Sequence, residues 1–387
     1  MSRAVSPRPK ARAPAALFAG AAIVSVLLAA CGGGGTSSGT GSANAAGVQE
    51  AKQLVAQQKA PVGFPNLPSF DASKARGKSV WFISNLGSNS FTTDLYNPFK
   101  QALEQFGVTV HFFDGQGQAS IEARGIEEAV AAHTDEIFIQ DFATSTTQGA
   151  VNDAHKANIP VVEWANQDAG QPPAAGNQAE TTYCYSCAGK YIADDVIATS
   201  NGNVHAVIIT SSDVPPSTFE TDGILNEFHR LCPSTCKATT QDVLIADWST
   251  RLPVMGRTIV ADHSVNWVIP MYDPETTFLN PGIIQAGAAD RVKVCSYNAT
   301  QGAVVQLKQS GNPLYCDIGS SLAWSGYACA DMVLRVLTGT PPLKDEQIPL
   351  RTFDRTNVAN VDFSAPQPTW YGTVDFTKAY DKIWGMS

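Results

Sequence analysis

Thiols carry most of the reactive chemistry in this 387-residue sequence. Four of its eight cysteines fall into two short pairs, Cys184-Tyr-Ser-Cys187 and Cys232-Pro-Ser-Thr-Cys236. Such pairs serve as redox couples, as two halves of a four-thiolate zinc site, or as local disulfides. A gap of 44 residues separates them, which favours local bridges over one shared metal. Cys295 and Cys316 each lie in a strand-like stretch and are candidates to pair with one another, whereas Cys329 sits in a helical stretch and reads as a small buried apolar residue. The six histidines (His111, His133, His155, His205, His229 and His263) are scattered, and none stands in a Gly-x-Ser-x-Gly or His-Glu-x-x-His context. Gly115-Gln116-Gly117 lacks the third glycine of a dinucleotide loop, and Asp194-Asp195, inside a predicted helix, reads as a solvated face. With no nucleophile–base pair and no phosphate cradle, the sequence points away from catalysis, cofactors and metals. It points toward a module that binds and leaves its ligand unchanged.

The eighth cysteine, Cys31, has a different setting. Arg3, Arg8, Lys10 and Arg12 precede an apolar run from Ala15 to Ala30, the order of a basic and then a hydrophobic export-signal region. The run has 16 residues, against ~20 needed to span a bilayer as a helix. Leu28-Ala29-Ala30-Cys31 resembles the bacterial lipobox, which implies cleavage before Cys31, a diacylglyceryl group on its sulfur, and a stable two- or three-chain anchor outside the cytoplasmic membrane. An extracytoplasmic location strengthens the disulfide reading of the paired thiols. Losing residues 1–30 leaves 22 basic residues against 35 acidic ones, a surface ill suited to nucleic acid. Residues 31–76 read as a lipidated glycine-rich tether, a short helix over 47–59 and a proline-rich spacer.

From Lys78 the texture changes to short apolar runs alternating with amphipathic stretches. SVWFIS, VTVHFFD, EIFIQ and IPVVEWA read as strands, with helices between them. The alternation resumes after a Gln/Pro/Gly-rich loop. There VHAVIIT, KATTQDVLIAD, NWVIPMY, RVKVCSY and PLYCDIG are the predicted strands, and CAGKYIADDVIATSNG, LPVMGRTIVADH and FLNPGIIQAG are among the predicted helices. Strands and helices in this order predict an α/β protein with parallel sheets covered on both faces, in two successive lobes.

Four segments in order, ISNLGSNSF, ANIPVVEWAN, VKVCSYNAT and SGYACADMVLRVLTGTPP, resemble the type I periplasmic binding proteins of the ribose-binding group. The resemblance covers about Gly77 to Thr356. It implies two doubly wound parallel-sheet lobes joined by a three-crossing hinge, with 77–182 plus 321–345 as lobe one and 183–320 plus 346–387 as lobe two. Ligand is then expected at the carboxyl edges of both sheets, in a cleft that closes upon it.

Carried across residue by residue, the resemblance places Asn85, Asn89 and Phe91 in the cleft from the first strand-end loop, and Gln140 where the family has Asn. Where the sugar binders have Asp-Arg, this chain has Ala165-Asn166, and where they have an arginine after the next strand, the nearest match is Glu220. Trp248 matches an aromatic that stacks on the ligand ring. Asp273 follows Tyr272 at a family Asn-Asp, Asn298 replaces a hydroxyl-binding Asp, and Ser320 stands near a family Gln by the third crossing. The plainer alternatives are turn formation for the Asn85 loop, a core position for Trp248, and a helix cap for Asp273. Rich in amides and rings and without an assigned Arg or Lys, such a cleft suits a neutral or cationic ring better than a phosphate or carboxylate. The resemblance implies a lipid-anchored, monomeric receptor that hands a sugar or sugar-like molecule to an ABC permease. A ligand sensor for a membrane signalling protein is the alternative, and an envelope hydrolase ranks below both.

Overall fold

The computed structural model describes residues 40–88 and 90–386. The export signal, Cys31 and Asn89 lie outside the described residues. Five parallel strands, β1 (Ser79–Ser84), β2 (Thr109–Asp114), β3 (Glu136–Gln140), β4 (Val161–Trp164) and β5 (Ala179–Thr181), form one sheet in the order β2-β1-β3-β4-β5. Six others, β6 (Val204–Thr210), β7 (Cys236–Asp242), β8 (Trp267–Pro270), β9 (Lys293–Tyr297), β10 (Leu314–Gly319) and β11 (Arg351–Asp354), form a second in the order β11-β10-β9-β8-β6-β7. Only β11 runs antiparallel.

The strands read as nearly continuous apolar runs because both faces of each sheet are covered. Along β1 and β3, Phe82 and Phe138 point to one core, with ring centroids 5.1 Å apart, while Ile83, Ile137 and Ile139 fill the opposite core. Helices α1 (Thr40–Gln58), α2 (Ser90–Glu104), α3 (Ala119–Ala131) and α4 (Gln148–Lys156) precede β5 in the chain. After it come α5 (Tyr185–Ser200), α6 (Pro216–Leu231), α7 (Trp248–Ile259), α8 (Asp273–Gln285) and the short α9 (Gln301–Val304), then α10 (Leu322–Thr338), α11 (Pro368–Tyr371) and α12 (Phe376–Ile383). The chain crosses between lobes from β5 to α5, from β10 to α10, and from α10 to β11. Helix α10 packs on α2 of lobe one, where a Cβ at Gly326 would stand 2.5 Å from the Leu95 carbonyl oxygen, so the two backbones meet at that glycine.

All six paired thiols are bridged, as Cys184–Cys187, Cys232–Cys236 and Cys295–Cys316. The parallel register of β9 and β10 sets the last two side by side. Four thiols spent in local bridges cannot form a zinc site, and no group of three or more metal-ligating side chains occurs among the described residues. Cys329 is buried and unpaired. No helix among the described residues is long and apolar enough to cross a membrane.

Several segments depart from the sequence reading. The strand predicted through Asp247 stops at Asp242, because its β6 partner ends at Thr210 and leaves no ladder to continue. Helix α8 begins five residues before the predicted start, since Pro274 near a helix N-terminus lacks only an N–H that would be unpaired there anyway. Helix α1 extends back to Thr40 and packs on α5 and α6 through Val48, Ala51 and Val55. Asp194 and Asp195 are buried beneath this end of the chain, not solvated. Gln58 Nε2 donates to Asp194 at 2.7 Å, Thr199 Oγ1 donates to Asp195 at 3.1 Å, and Lys59 sits between Asp195 and an ion pair with Asp354.

The proline-rich stretch is a strap, not a spacer. It leaves α1 on lobe two and reaches lobe one, where Phe64 stacks on Trp324 at 5.6 Å and Leu67 is buried. The carboxyl end does the same in reverse order of sequence. Phe363, Trp370 and Tyr371 share the lobe-two core with Phe353, but α12 lies on α10, with Trp384 stacked on Tyr327 at 5.7 Å. Residues 372–386 therefore pack on lobe one, against the expected division at 346–387. Apolar rings spaced among the prolines and glycines of both ends supply the burial that a free linker would lack.

Candidate functional site

The carboxyl ends of both sheets face a cleft of about 1700 Å³. Pockets that enclose small molecules run to ~300–1,000 Å³, so a small ligand would touch both walls only as the lobes approach one another. Three non-glycine residues immediately beyond strand ends have positive φ, namely Asp141 (60°), Ala165 (66°) and Asn298 (118°), and Ala299 (50°) follows the last of them. Strained backbone of this kind concentrates where a fold aims side chains at a ligand.

Six of the nine predicted contact residues line this cleft: Asn85, Phe91, Asn166, Trp248, Asp273 and Asn298. Asn85 is held by its own amide groups, its backbone N–H donating to the Gln140 carbonyl at 2.9 Å and its side chain to the Asp141 carbonyl at 2.8 Å. Phe91 is half-buried near the start of α2. Asn166 spends its side-chain N–H groups on the Phe142 carbonyl and Glu163, both at 3.1 Å. Trp248 opens α7, its indole N–H shared between Ser211 Oγ at 3.0 Å and the Val243 carbonyl at 3.1 Å, which fixes the ring beside Tyr272.

Asp273 is turned into the wall. Its two oxygens accept from Ser296 Oγ at 2.6 Å and from Thr300 N and Oγ1 at 2.7 Å each. Those bonds join the start of α8 to the end of β9, a role different from either helix capping or ligand contact. Gln140 and Ser320 do not line the cleft. Gln140 is fully buried, accepts from Thr92 Oγ1 at 3.2 Å and donates to the Asp141 carboxylate, so it acts as a support. Ser320 is buried at the crossing into α10.

The sequence reading missed two features of the walls. The first is aromatic. Tyr183, Tyr185 and Tyr297 meet edge to face at 5.8–6.2 Å where the chain passes between lobes, and Trp370 enters from the carboxyl strap. Tyr297 ends β9, so its strand-end position was the available signal, but nothing marked Trp370, which follows the segment that resembles the family. The second is acidic. Asp94, Glu122 and Asp141 from lobe one and Asp213 from lobe two line the cleft, and none of the described lining residues is Lys, Arg or His. Burial pushes Glu122 up to about 7, and it does the same to Asp141 although the Gln140 amide pulls the other way. Glu220, offered by the sequence in place of an arginine, is fully buried on α6 with neither carboxylate oxygen hydrogen-bonded; desolvation first, then the charges of Glu275 and Asp168, push it well above the carboxylate range.

These buried acids make stability depend on pH. Glu122 and Asp141 at about 7 and Glu180 at about 8 hold protons that the unfolded chain releases near pH 4. Their stabilisation is full below that unfolded value and is lost as pH rises through the folded ones, because the native state then binds more protons than the unfolded. The melting temperature should fall by several degrees between pH 5 and pH 8, each kcal/mol being worth at most roughly 2–4 °C in a chain of more than about 250 residues. A melting temperature that rises across that interval would contradict the burial of these groups.

Comparison with known proteins agrees with this architecture. Residues 80–341 match the family model described as a periplasmic binding protein domain. No curated protein sequence matches significantly. Among solved structures, an ABC transporter solute binding protein from Agrobacterium vitis with bound allitol superposes with a TM-score of 0.65 at 15% identity, over 74% of this chain and 98% of that one. The 5-methylthioribose transporter solute binding protein from Thermotoga lettingae gives 0.64 at 16%, over 79% and 99%. A solute binding protein from Mycobacterium smegmatis with bound glycerol gives 0.63 at 13%, over 77% and 99%. The family match spans more than half the chain, and its members are receptors rather than enzymes; this chain belongs to the periplasmic binding protein domain family.

Proposed function

We propose that the chain is the lipid-tethered solute receptor of an ABC importer, capturing a small polar ring, a sugar or sugar-like molecule, between its lobes and presenting it to a permease. The observation that carries the reading is a single cleft with aromatic rings from both lobes, Phe91 on one side and Trp248 with Tyr272 on the other, beside the amides of Asn85 and Asn298. Ring faces cover the apolar side of a pyranose or furanose, and amides both donate to and accept from its hydroxyls. Structural relatives with sugar-derived or polyol ligands favour the same class. Anchoring would come from acylated Cys31, which places the receptor on the outer face of the cytoplasmic membrane, and one copy holds a complete cleft.

Native mass spectrometry of the full chain, extracted in mild detergent from its own cells, tests both parts. A mature amino terminus at a diacylglyceryl Cys31 and a retained mass equal to a sugar or polyol are expected. An unmodified Cys31, or a retained phosphate ester or peptide, would refute the corresponding part.

A further inference from the structure

The sugar-like ligand proposed above leaves one feature of the cleft without a purpose. A neutral polyol needs a balanced set of donors and acceptors, and one or two carboxylates suffice for its hydroxyls. This cleft has Asp94, Glu122, Asp141 and Asp213 on its walls and no base to offset them among the described lining residues. Behind the lobe-two wall, Glu220 is fully buried with neither carboxylate oxygen hydrogen-bonded, and burial keeps it protonated. Glu275, also fully buried, keeps one oxygen without a partner. A buried carboxylate with no partner is costly unless a proton or a cation arrives. The electron-rich faces of Trp248 and Tyr272 also attract a cation and have nothing to offer an anion.

We infer that the ligand carries a protonated amine on its polar ring, as amino sugars and iminosugars do, with the ammonium directed at the acids that line the cleft. The inference rests on the sugar-like reading and narrows it. Hydroxyls meet the amides of Asn85 and Asn298, the ring lies against Trp248, and the charge is met by Asp213 at the lip of lobe two and by Asp94 on α2 of lobe one.

The test is calorimetric titration of the full chain in detergent with matched trios: glucose, glucosamine and glucuronate, and the galactose and mannose equivalents. The amine should bind at least about tenfold tighter than its neutral parent in one trio, the scale of a close charge pair, and the uronate should bind weakest. Asp213→Asn keeps shape and removes the charge at the exposed lip, so it should shrink the amine-over-neutral ratio about tenfold. Should that substitution disturb the Asp213 loop, Asp94→Asn, exposed on α2, provides the same comparison. Neutral sugars binding as tightly as the amines would overturn the inference and leave the sugar-receptor reading standing. Failure of every member of every trio would overturn both.

Discussion

Replacing Arg335 with alanine should destabilise the protein by about 3–5 kcal/mol, the cost of breaking a buried ion pair by removing one partner. Arg335 is buried in the last turn of α10, where its Nε donates to Asp331 at 2.6 Å and its Nη2 to the Pro68 carbonyl at 2.8 Å, with the guanidinium 4.5 Å over the Phe70 ring. Asp331 in turn accepts from the Trp384 indole at 2.7 Å. One guanidinium therefore fastens the amino-terminal strap directly and, through Asp331, the carboxyl-terminal helix. Its removal leaves Asp331 beside Glu346, two buried carboxylates without a cation. Denaturant titration gives the loss, and limited proteolysis should show cleavage in 60–70 that the parent resists. The double variant Arg335→Ala/Asp331→Ala should lose less than the single variants summed, because it removes the stranded charge as well. A single-variant loss below about 1 kcal/mol, the range of an exposed pair, would mean that the straps are held by their apolar rings alone.

These straps bear on lobe closure. Among the described residues the chain passes between lobes at 59–64 and at 371–376, in addition to the three crossings that the family resemblance implies. Phe64 and Trp384 both pack against α10, so any rotation of one lobe on the other must bend five connections. Pro366, Gln367 and Trp370 also reach the cleft edge, and the Gln367 side-chain oxygen accepts from the Leu322 N–H at 3.0 Å. The carboxyl strap is thus part of the cleft wall, not a tail.

The sheets were legible because their physics is local. SVWFIS and EIFIQ alternate cores with period two, and a run of that length between turn residues has few other uses. The paired cysteines were legible for the same reason, since three or four residues of spacing suffice to close a loop. What remained hidden depends on distant covering. Asp194-Asp195 has the composition of a solvated face and is buried only because α1 lies across it. Asp273 was assigned to ligand by its place at a strand end, and its carboxylate is spent 23 and 27 residues away, on Ser296 and Thr300. Glu122 and Asp94 lie on α3 and α2, helices that the sequence gives no reason to aim at a cleft.

Trp248→Ala should weaken ligand binding by about thirtyfold or more, a loss of about 2 kcal/mol of the size expected for a central aromatic anchor. In the proposed reading the ring is the lobe-two platform, and the two acceptors of its N–H set its plane before any ligand arrives, so little side-chain freedom is lost on binding. Trp248→Phe keeps a ring face but gives up both acceptors, and its affinity should fall between the parent and the alanine variant. Asn166→Ala supplies the contrast. Its amide already serves the Phe142 carbonyl and Glu163, so its removal should lower the melting temperature and change affinity less than Trp248→Ala does. Titration of each variant with the ligand recovered by native mass spectrometry separates the two roles. Equal affinity losses at 166 and 248 would mean that the cleft binds by its amides, with the tryptophan serving the lobe-two core.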